Sequence, residues 1–174
     1  HIITSAIEHH AVLDTVNSLK ALGFDVTVLP VNGYGLVDPA DVRASMTDRT
    51  FMVSIMHANN EVGTVQPIRE IAAIAHERGA LMHTDAVQSV GHLDIDVNEL
   101  GVDLLSMAAH KFYGPKGVGA LYIRKGVRIS PLITGGGQER KVRSGTAMVA
   151  LAVGFAAAAR AAVGDRETEA ARLG

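Results

Sequence analysis

Residues 104–117 read LLSMAAHKFYGPKG: an apolar run, then a histidine and a lysine, then a turn rich in glycine and proline. The apolar run is typical of a buried strand, so Lys111 is predicted to lie at the polar end of that strand. Desolvation there would disfavour the ammonium form of Lys111, and a free amine can condense with a carbonyl group. Lys116 is the rival for this chemistry, but it lies inside the turn and is expected to be solvated. We therefore favour Lys111 as the reactive amine.

This strand is one of several that alternate with helical patterns along the chain. Apolar runs predict strands over 2–7, 25–31, 50–56, 80–83, 102–107 and 119–123. Helices are predicted over 10–22, from Asp38-Pro39 onward, over 67–78 and over 148–162, and the charged tail 165–174 is expected to be solvated or frayed. Such alternation indicates an α/β fold with a mostly parallel sheet flanked by helices.

Composition narrows the classes of protein that fit. The chain has 174 residues, of which 48% are hydrophobic, enough for one globular domain with a core. A net charge of −2 gives no electrostatic footprint for nucleic acid. The sequence contains no cysteine, which excludes disulfides and thiolate metal sites. The eight histidines lie on different predicted elements without metal-ligand spacing, so no metal site is expected.

Two features of the chain bear on its boundaries and its surroundings. The segment 146–163 is weakly apolar, but it is mostly alanine and carries Gly154 and Arg160, which favours a packed helix over a membrane span. The first residue is His1 rather than methionine, so we expect a fragment or a processed chain.

Polar clusters follow three of the predicted strands. They are residues 57–63 (HANNEVG), residues 83–88 (HTDAVQ) and the pair His110-Lys111. In open α/β sheets, ligands bind outside the carboxyl ends of the strands. If these strands are neighbours, Asn60, Asp85, Gln88 and Lys111 face one crevice.

A lysine and an aspartate at such an edge suggest pyridoxal phosphate as a cofactor. Its aldehyde needs an amine, and its pyridine nitrogen needs an acid that keeps it protonated, so that the ring can take up electrons. The amides of Asn60 and Gln88 suit the phenolic oxygen, and His9 could offer an aromatic plane to the ring. Each residue also has a structural alternative: His9 at a helix start, Asp85 and Asn60 in turns, Thr146 as an N-cap. Glu8, Glu61 and Glu139 are interpreted as structural acids.

Taken together and in order, these motifs resemble those of the cysteine desulfurases, which belong to the aminotransferase class V group of fold-type I pyridoxal phosphate enzymes. The matching segments cover nearly the whole chain and no single one is specific. They are 5–13 (SAIEHHAVL), 58–63 (ANNEVG), 83–89 (HTDAVQS), 109–117 (AHKFYGPKG), 135–140 (GGGQER) and 143–146 (RSGT).

The resemblance implies roles for individual residues. Lys111 would hold the cofactor aldehyde and later move the α-proton of the substrate, with His9 stacked on the ring and assisting acid–base steps. Asp85 would pair with the pyridine nitrogen, and Gln88 and Asn60 would lie near the phenolic oxygen. His110 would contact the cofactor phosphate, and Thr146 would reach the phosphate in the partner subunit of a homodimer.

The resemblance also implies a cytoplasmic enzyme that converts L-cysteine to L-alanine. Its sulfur would pass as an enzyme persulfide to an acceptor or scaffold protein, in the supply of iron–sulfur clusters. Residues 1–145 would form the cofactor-binding core, and residues 146–174 a connecting helix and charged tail that lead towards an absent small domain.

Several departures limit what the resemblance implies. Ala108 replaces the serine usual two residues before the motif histidine, so one phosphate hydrogen bond is lost unless Ser106 or water supplies it. The glycine–threonine phosphate loop, the arginine that binds the substrate carboxylate and the cysteine that forms the persulfide have no counterpart in these residues. We therefore expect the chain to be inactive alone. A selenocysteine lyase, another class V aminotransferase, and a non-catalytic fragment or interaction module remain as alternatives.

Overall fold

One six-stranded sheet forms the centre of the molecule. The structure, a computed structural model, describes residues 1–173. In chain order the strands are β1 (Ile2–Ser5), β2 (Val26–Leu29), β3 (Met52–Ser54), β4 (Leu81–Asp85), β5 (Leu104–Ala108) and β6 (Gly119–Ile123). They lie in the order β2-β1-β3-β4-β5-β6. All neighbours are parallel except β6, which is antiparallel to β5. The predicted α/β fold with a mostly parallel sheet is confirmed.

Within residues 1–173, four α-helices and one short 3₁₀ helix lie between the strands, and a second 3₁₀ helix and a fifth α-helix follow the last strand. The α-helices are α1 (His10–Ala21), α2 (Pro39–Ser45), α3 (Ile68–Glu77), α4 (Val97–Leu100) and α5 (Val149–Leu173), and the 3₁₀ helices span Ala109–Phe112 and Glu139–Lys141. The side chain of Asp38 accepts a hydrogen bond from the Ala40 N–H, and Pro39 opens the helix, as the sequence predicts.

The main core lies between one face of the sheet and helices α2 and α3. Alternate strand residues point to this face, because successive side chains in a strand alternate sides. On the sheet they include Ile3, Val53, Ile55, Met82 and Leu105, all buried. The helices contribute Val42, Ile68, Ile71, Ala72, Ile74 and Ala75. This core therefore covers one face of the sheet. The polar residues lie outside it, at the carboxyl ends of the strands.

Three sequence-based expectations need correction. The strand predicted over 2–7 ends at Ser5, because residues 6 and 7 turn out of the sheet. Leu22, the last residue of the helix predicted over 10–22, is 75% exposed, because the helix ends at Ala21. The tail is mostly exposed, as expected, but it is not frayed: it continues α5 to Leu173, where helix-forming residues and the Arg172–Glu169 ion pair favour helix. Gly174 lies outside the described residues.

The strand order reverses direction between β1 and β3. From β1 the chain moves through α1 to β2 on one side, and then returns past β1 to β3 on the other side. Ligands in open α/β sheets bind outside the carboxyl ends of the strands at such a switch point. Among the helices of residues 1–173, none combines the length and the apolar character that a membrane crossing requires.

Candidate active site

Four parallel neighbouring strands bring most of the predicted residues to one edge of the sheet. His9 follows β1, Asn60 follows β3, Asp85 ends β4 and Lys111 follows β5. Because parallel strands end at the same edge, these segments share the carboxyl edge of the sheet. Within residues 1–173, no hydrogen bond or ion pair joins one predicted site residue directly to another. These residues could therefore be linked to one another only through a ligand bound at this edge.

Asp85 is the predicted residue that the fold buries. Its side chain lies at the end of β4 with only 9% of the residue exposed. Its Oδ1 accepts a hydrogen bond from the Val87 N–H at 2.9 Å, and its backbone carbonyl accepts one from the His57 N–H at 2.8 Å. Oδ2 forms no hydrogen bond within the described part of the chain. The edge thus holds a fixed carboxylate with one oxygen available to a cationic or protonated partner.

Gln88 belongs to the tight turn that follows Asp85. The turn is closed by the Ser89 N–H, which donates to the carbonyl of Ala86 at 3.1 Å. The Ser89 hydroxyl also lies 2.9 Å from His57 Nδ1, which links the turn to the segment after β3. Gln88 itself is half-buried. Asp85 and Gln88 are therefore presented by one short, internally bonded segment.

Lys111 lies on the outer side of the 3₁₀ helix that follows β5. Ala109 and Phe112 are buried and anchor this helix, whereas His110 and Lys111 between them are exposed. The desolvation expected at Lys111 is therefore not found in this chain, because the short helix turns the lysine outward. Lys116 is exposed as well, so exposure does not separate the two lysines. Position does separate them: Lys111 directly follows β5, the neighbour of the strand that carries Asp85.

His9, Asn60 and Thr146 are exposed at the surface. His9 Nδ1 accepts a hydrogen bond from the Ala11 N–H at 3.1 Å, so His9 caps α1, as its structural alternative predicts. Thr146 is not an N-cap, because α5 begins only at Val149. No described contact joins Thr146 to the other predicted residues.

Asn59, rather than Asn60, holds the loop after β3. Asn59 Oδ1 accepts hydrogen bonds from the N–H groups of Glu61 and Val62, both at 2.9 Å, and its Nδ2 donates to the Ile7 carbonyl at 2.9 Å. Asn60 is left on the surface of this loop. The hydrogen bonds expected of a turn residue are thus made by Asn59. The Asn60 amide stays accessible at the surface.

The sequence analysis missed a row of polar side chains across three strands. The ring of His83 lies between two hydroxyls, 2.7 Å from Ser54 Oγ and 3.0 Å from Ser106 Oγ. Burial lowers the pKa of His83, and burial also lowers the pKa of His57. Both rings are therefore neutral at pH 7. A recognisable signal was the spacing of two between His83 and Asp85, which puts both on one face of β4.

The same row bears on the departure at Ala108. Ser106 was a candidate to replace the missing serine hydroxyl, but its Oγ is bonded to His83. The register of the sheet pairs Ser106 with Asp85. Ser106 therefore lies within β5, two residues before its end, and not in the loop that follows. In this structure its hydroxyl forms a hydrogen bond between neighbouring strands of the sheet.

Glu8, interpreted from the sequence as a structural acid, has contacts at this edge that the sequence did not predict. It directly precedes His9, yet it is buried, and its carboxyl accepts hydrogen bonds from the Ser5 hydroxyl at 2.6 Å and the Met56 N–H at 2.8 Å. Burial raises the pKa of Glu8 to about 7. An acid directly after an apolar strand was the available signal.

Other candidate sites are weaker. Within residues 1–173, no group of three or more His, Asp or Glu side chains is placed to hold a metal ion. An open groove of about 460 Å³ lies beside α3 and α4, lined by Gln66, Pro67, Ile68, Arg69, Glu70, Ala73 and Leu100. It contains none of the predicted residues, so the carboxyl edge remains the candidate active site.

Comparison with known proteins assigns the family. Residues 1–171 match the family model described as Aminotransferase class-V. The chain belongs to this family. The resemblance inferred from the ordered motifs is thereby confirmed, and class-V membership covers almost every residue.

Curated relatives and solved structures agree with the class-V assignment. The chain is 56% identical to "Cysteine desulfurase IscS" of Dictyoglomus turgidum over 99% of this chain and 44% of that protein. It is also 56% identical to the protein of the same name from Methanosarcina thermophila, over 96% of this chain and 41% of that protein. The chain therefore spans less than half the length of these relatives.

Among solved structures, a "NIFS-LIKE PROTEIN" superposes with a TM-score of 0.93 at 48% identity, covering 96% of this chain and 46% of that one. The structure "SspA in complex with cysteine" gives a TM-score of 0.90 at 48% identity, covering 92% of this chain and 47% of that one. The fold of this chain is thus that of the NifS-like proteins.

Proposed function

We propose that this chain is the pyridoxal phosphate-binding part of a cysteine desulfurase, which converts L-cysteine to L-alanine and passes the sulfur on. The observation that carries the proposal is the parallel pairing of β4 with β5, which puts a buried carboxylate and a primary amine at the ends of adjacent strands. The relatives named cysteine desulfurase, and the similar structure crystallised with cysteine, support this choice of reaction and substrate.

The donor set fits pyridoxal phosphate. When bound, the cofactor supplies an aldehyde and a ring that takes up electrons. Asp85 Oδ2, which has no hydrogen bond within residues 1–173, would hold the proton of the pyridine nitrogen. Lys111 would hold the cofactor at its aldehyde carbon, and once the substrate's amine has displaced its Nζ there, that free amine would carry the substrate's α-proton. Gln88 and Asn60 would donate to the phenolic oxygen.

The remaining predicted residues serve the cofactor's face and its phosphate. His9 would cover one face of the ring, and its Nε2 is the nitrogen not used in capping α1. His110 would donate to the phosphate from the 3₁₀ helix after β5. Thr146 would reach the phosphate of a second copy in a homodimer. Residues 1–145 would form this core, and residues 146–174 would be the connecting segment, whose helix α5 packs on the core through Phe155 and Phe112.

The proposal divides the reaction between this chain and other groups. A persulfide requires a thiol, and the sequence contains no cysteine. We therefore assign cofactor and substrate binding to this chain, and not the acceptance of sulfur. A sulfur-acceptor or scaffold protein as partner, and work in the cytoplasm, belong to the same proposal.

Reductive trapping tests the assignment of Lys111. We expect pyridoxal phosphate to give a visible absorbance band with the protein, and borohydride to fix the cofactor on the peptide that contains Lys111, as read by mass spectrometry. Lys111→Ala should abolish both signals. Lys116→Ala, the matched control from the same turn, should leave both intact. Trapping at Lys116, or an unchanged band in Lys111→Ala, would contradict the proposal.

A further inference from the structure

Glu8 lies at the switch point of the sheet, and the proposed chemistry does not use it. The residue follows β1, is only 6% exposed and directly precedes His9. Its Oε1 accepts two hydrogen bonds, from the Ser5 hydroxyl at 2.6 Å and from the Met56 N–H at 2.8 Å. Its Oε2 is buried and has no partner within residues 1–173. One carboxyl group thus joins the segment after β1 to the end of β3.

The bond to Met56 places Glu8 on one flank of β3 and Asp85 on the other. Successive N–H groups of an extended chain point in opposite directions. The Met56 N–H reaches Glu8, and the next one along the chain, that of His57, reaches the carbonyl of Asp85 at 2.8 Å. Asn59 adds a second tie to the same segment through the Ile7 carbonyl. The residues before His9 are therefore fixed to the chain that also fixes Asp85.

The surroundings of Glu8 disfavour a second negative charge. Within the described residues no lysine, arginine or histidine forms an ion pair with Glu8. Asp85 is a like charge on the far side of β3, and it raises the pKa of Glu8 further after burial, while the bonds from Ser5 and Met56 lower it. Other ionisable groups of this edge include His9, His57, Glu61, His83, His110 and Lys111. A neutral carboxyl group would place its hydrogen on Oε2, the oxygen without a donor.

We propose that Glu8 is a positioning residue: its buried carboxyl group holds the segment carrying His9 against the end of β3, and it leaves Asp85 as the carboxyl group of this edge with an oxygen available to a ligand. The inference rests on the proposed function only where it concerns the ligand, because the proposed function names the ligand that binds at this edge. The bridge itself is a property of the protein without any cofactor.

The pH dependence of unfolding tests this role without any added cofactor. We compare urea unfolding of the wild type, Glu8→Gln and the exposed control Glu99→Gln between pH 5 and pH 8.5. Glutamine imitates the neutral carboxyl group, so its unfolding constant lacks the Glu8 titration. Relative to Glu8→Gln, the unfolding constant of the wild type should rise roughly tenfold per pH unit up to about pH 7. The titration of His57 and His83 contributes equally to the unfolding constants of both proteins and cancels in their ratio. The unfolding constant of Glu99→Gln should show the same pH dependence as that of the wild type.

Hydrogen exchange at the Met56 amide separates positioning from general stability. Glu8→Gln should keep this amide protected, whereas Glu8→Ala, if it folds, should lose most of its protection. With pyridoxal phosphate added at pH 7, Glu8→Gln should bind within about threefold of the wild type. Parallel pH profiles for the wild type and Glu8→Gln, or an unprotected Met56 amide in Glu8→Gln, would overturn the proposal. If the wild type takes up no cofactor, the proposed function fails, while the pH profile still decides the role of Glu8.

Discussion

Asp103 shows how much one side chain can organise at the edge of the sheet opposite the candidate active site. Its Oδ2 accepts hydrogen bonds from the Met82 N–H and from His76 Nε2, both at 2.8 Å, and its Oδ1 lies 3.7 Å from Arg124 Nε. The residue is only 6% exposed. A buried carboxylate with two hydrogen-bond donors and a guanidinium group nearby is costly to alter, because the two donors are then left without their charge-assisted partner.

At this scale we expect Asp103→Asn to lower the free energy of unfolding by about 1–3 kcal/mol, because the amide turns an N–H₂ group towards existing donors. Asp94→Asn is the matched control, since the Asp94 side chain is 90% exposed in its ion pair with Arg166 and should change stability by less than about 0.5 kcal/mol. Urea unfolding at pH 7 measures both variants. Equal losses in the two would show that burial of Asp103 contributes nothing.

At the scale of elements, α5 packs closely against the segment after β5, because small residues lie at the contact. A Cβ atom on Gly154 would lie 3.0 Å from Pro115 Cγ, and one on Gly91 would lie 2.8 Å from the Ala162 Cβ. Phe155 meets Phe112 edge-to-face, with ring centroids 5.3 Å apart. The helix therefore packs against the same 3₁₀ helix and turn that carry His110 and Lys111.

This packing predicts opposite results at two glycines of one helix. Gly164 has open space around it, so Gly164→Ala should stabilise the protein by roughly 0.5–1 kcal/mol through helix propensity. Gly154→Ala should yield none of that gain, because its methyl group presses on Pro115. Thermal unfolding compares the two variants under identical conditions. An equal gain at both positions would mean that α5 does not bear on the turn.

At the scale of the whole molecule, the absence of cysteine bears on the proposed activity. Under that proposal the carboxyl edge would hold the cofactor, but the sequence contains no thiol to take sulfur from the substrate. With pyridoxal phosphate and L-cysteine present, we expect this chain to release sulfide no faster than free pyridoxal phosphate at the same concentration. Methylene blue detection of sulfide makes the comparison. Turnover well above the free cofactor would mean that no thiol of the protein is required.

Much of the fold could be predicted from local patterns. Apolar runs predicted all six strands, and Asp38-Pro39 predicted the start of α2, because strands and capped helices each leave a local pattern in the sequence. The length of α5 was underestimated, since a charged segment of good helix formers reads as a solvated tail. The 3₁₀ helix at Lys111 was also missed, and with it the exposure of that lysine.

The residues of the candidate site divide in the same way. Asp85, Gln88 and Lys111 could be predicted because each follows an apolar run, and their roles stay predictions. The contacts of Glu8 and His83 could not, because their importance lies in partners far along the chain: Met56 for Glu8, and Ser54 and Ser106 for His83. Local sequence carries no record of such partners.

By itself, then, the amino-acid sequence determined the kinds of elements, their order and the chemical groups at the strand ends. Only the tertiary structure decided that β1 and β3 lie side by side, that Asp85 is buried while Lys111 is exposed, and that Glu8 shares an edge with Asp85. The physical reason is that helix and strand signals act between near neighbours, whereas burial and charge depend on which strands pair.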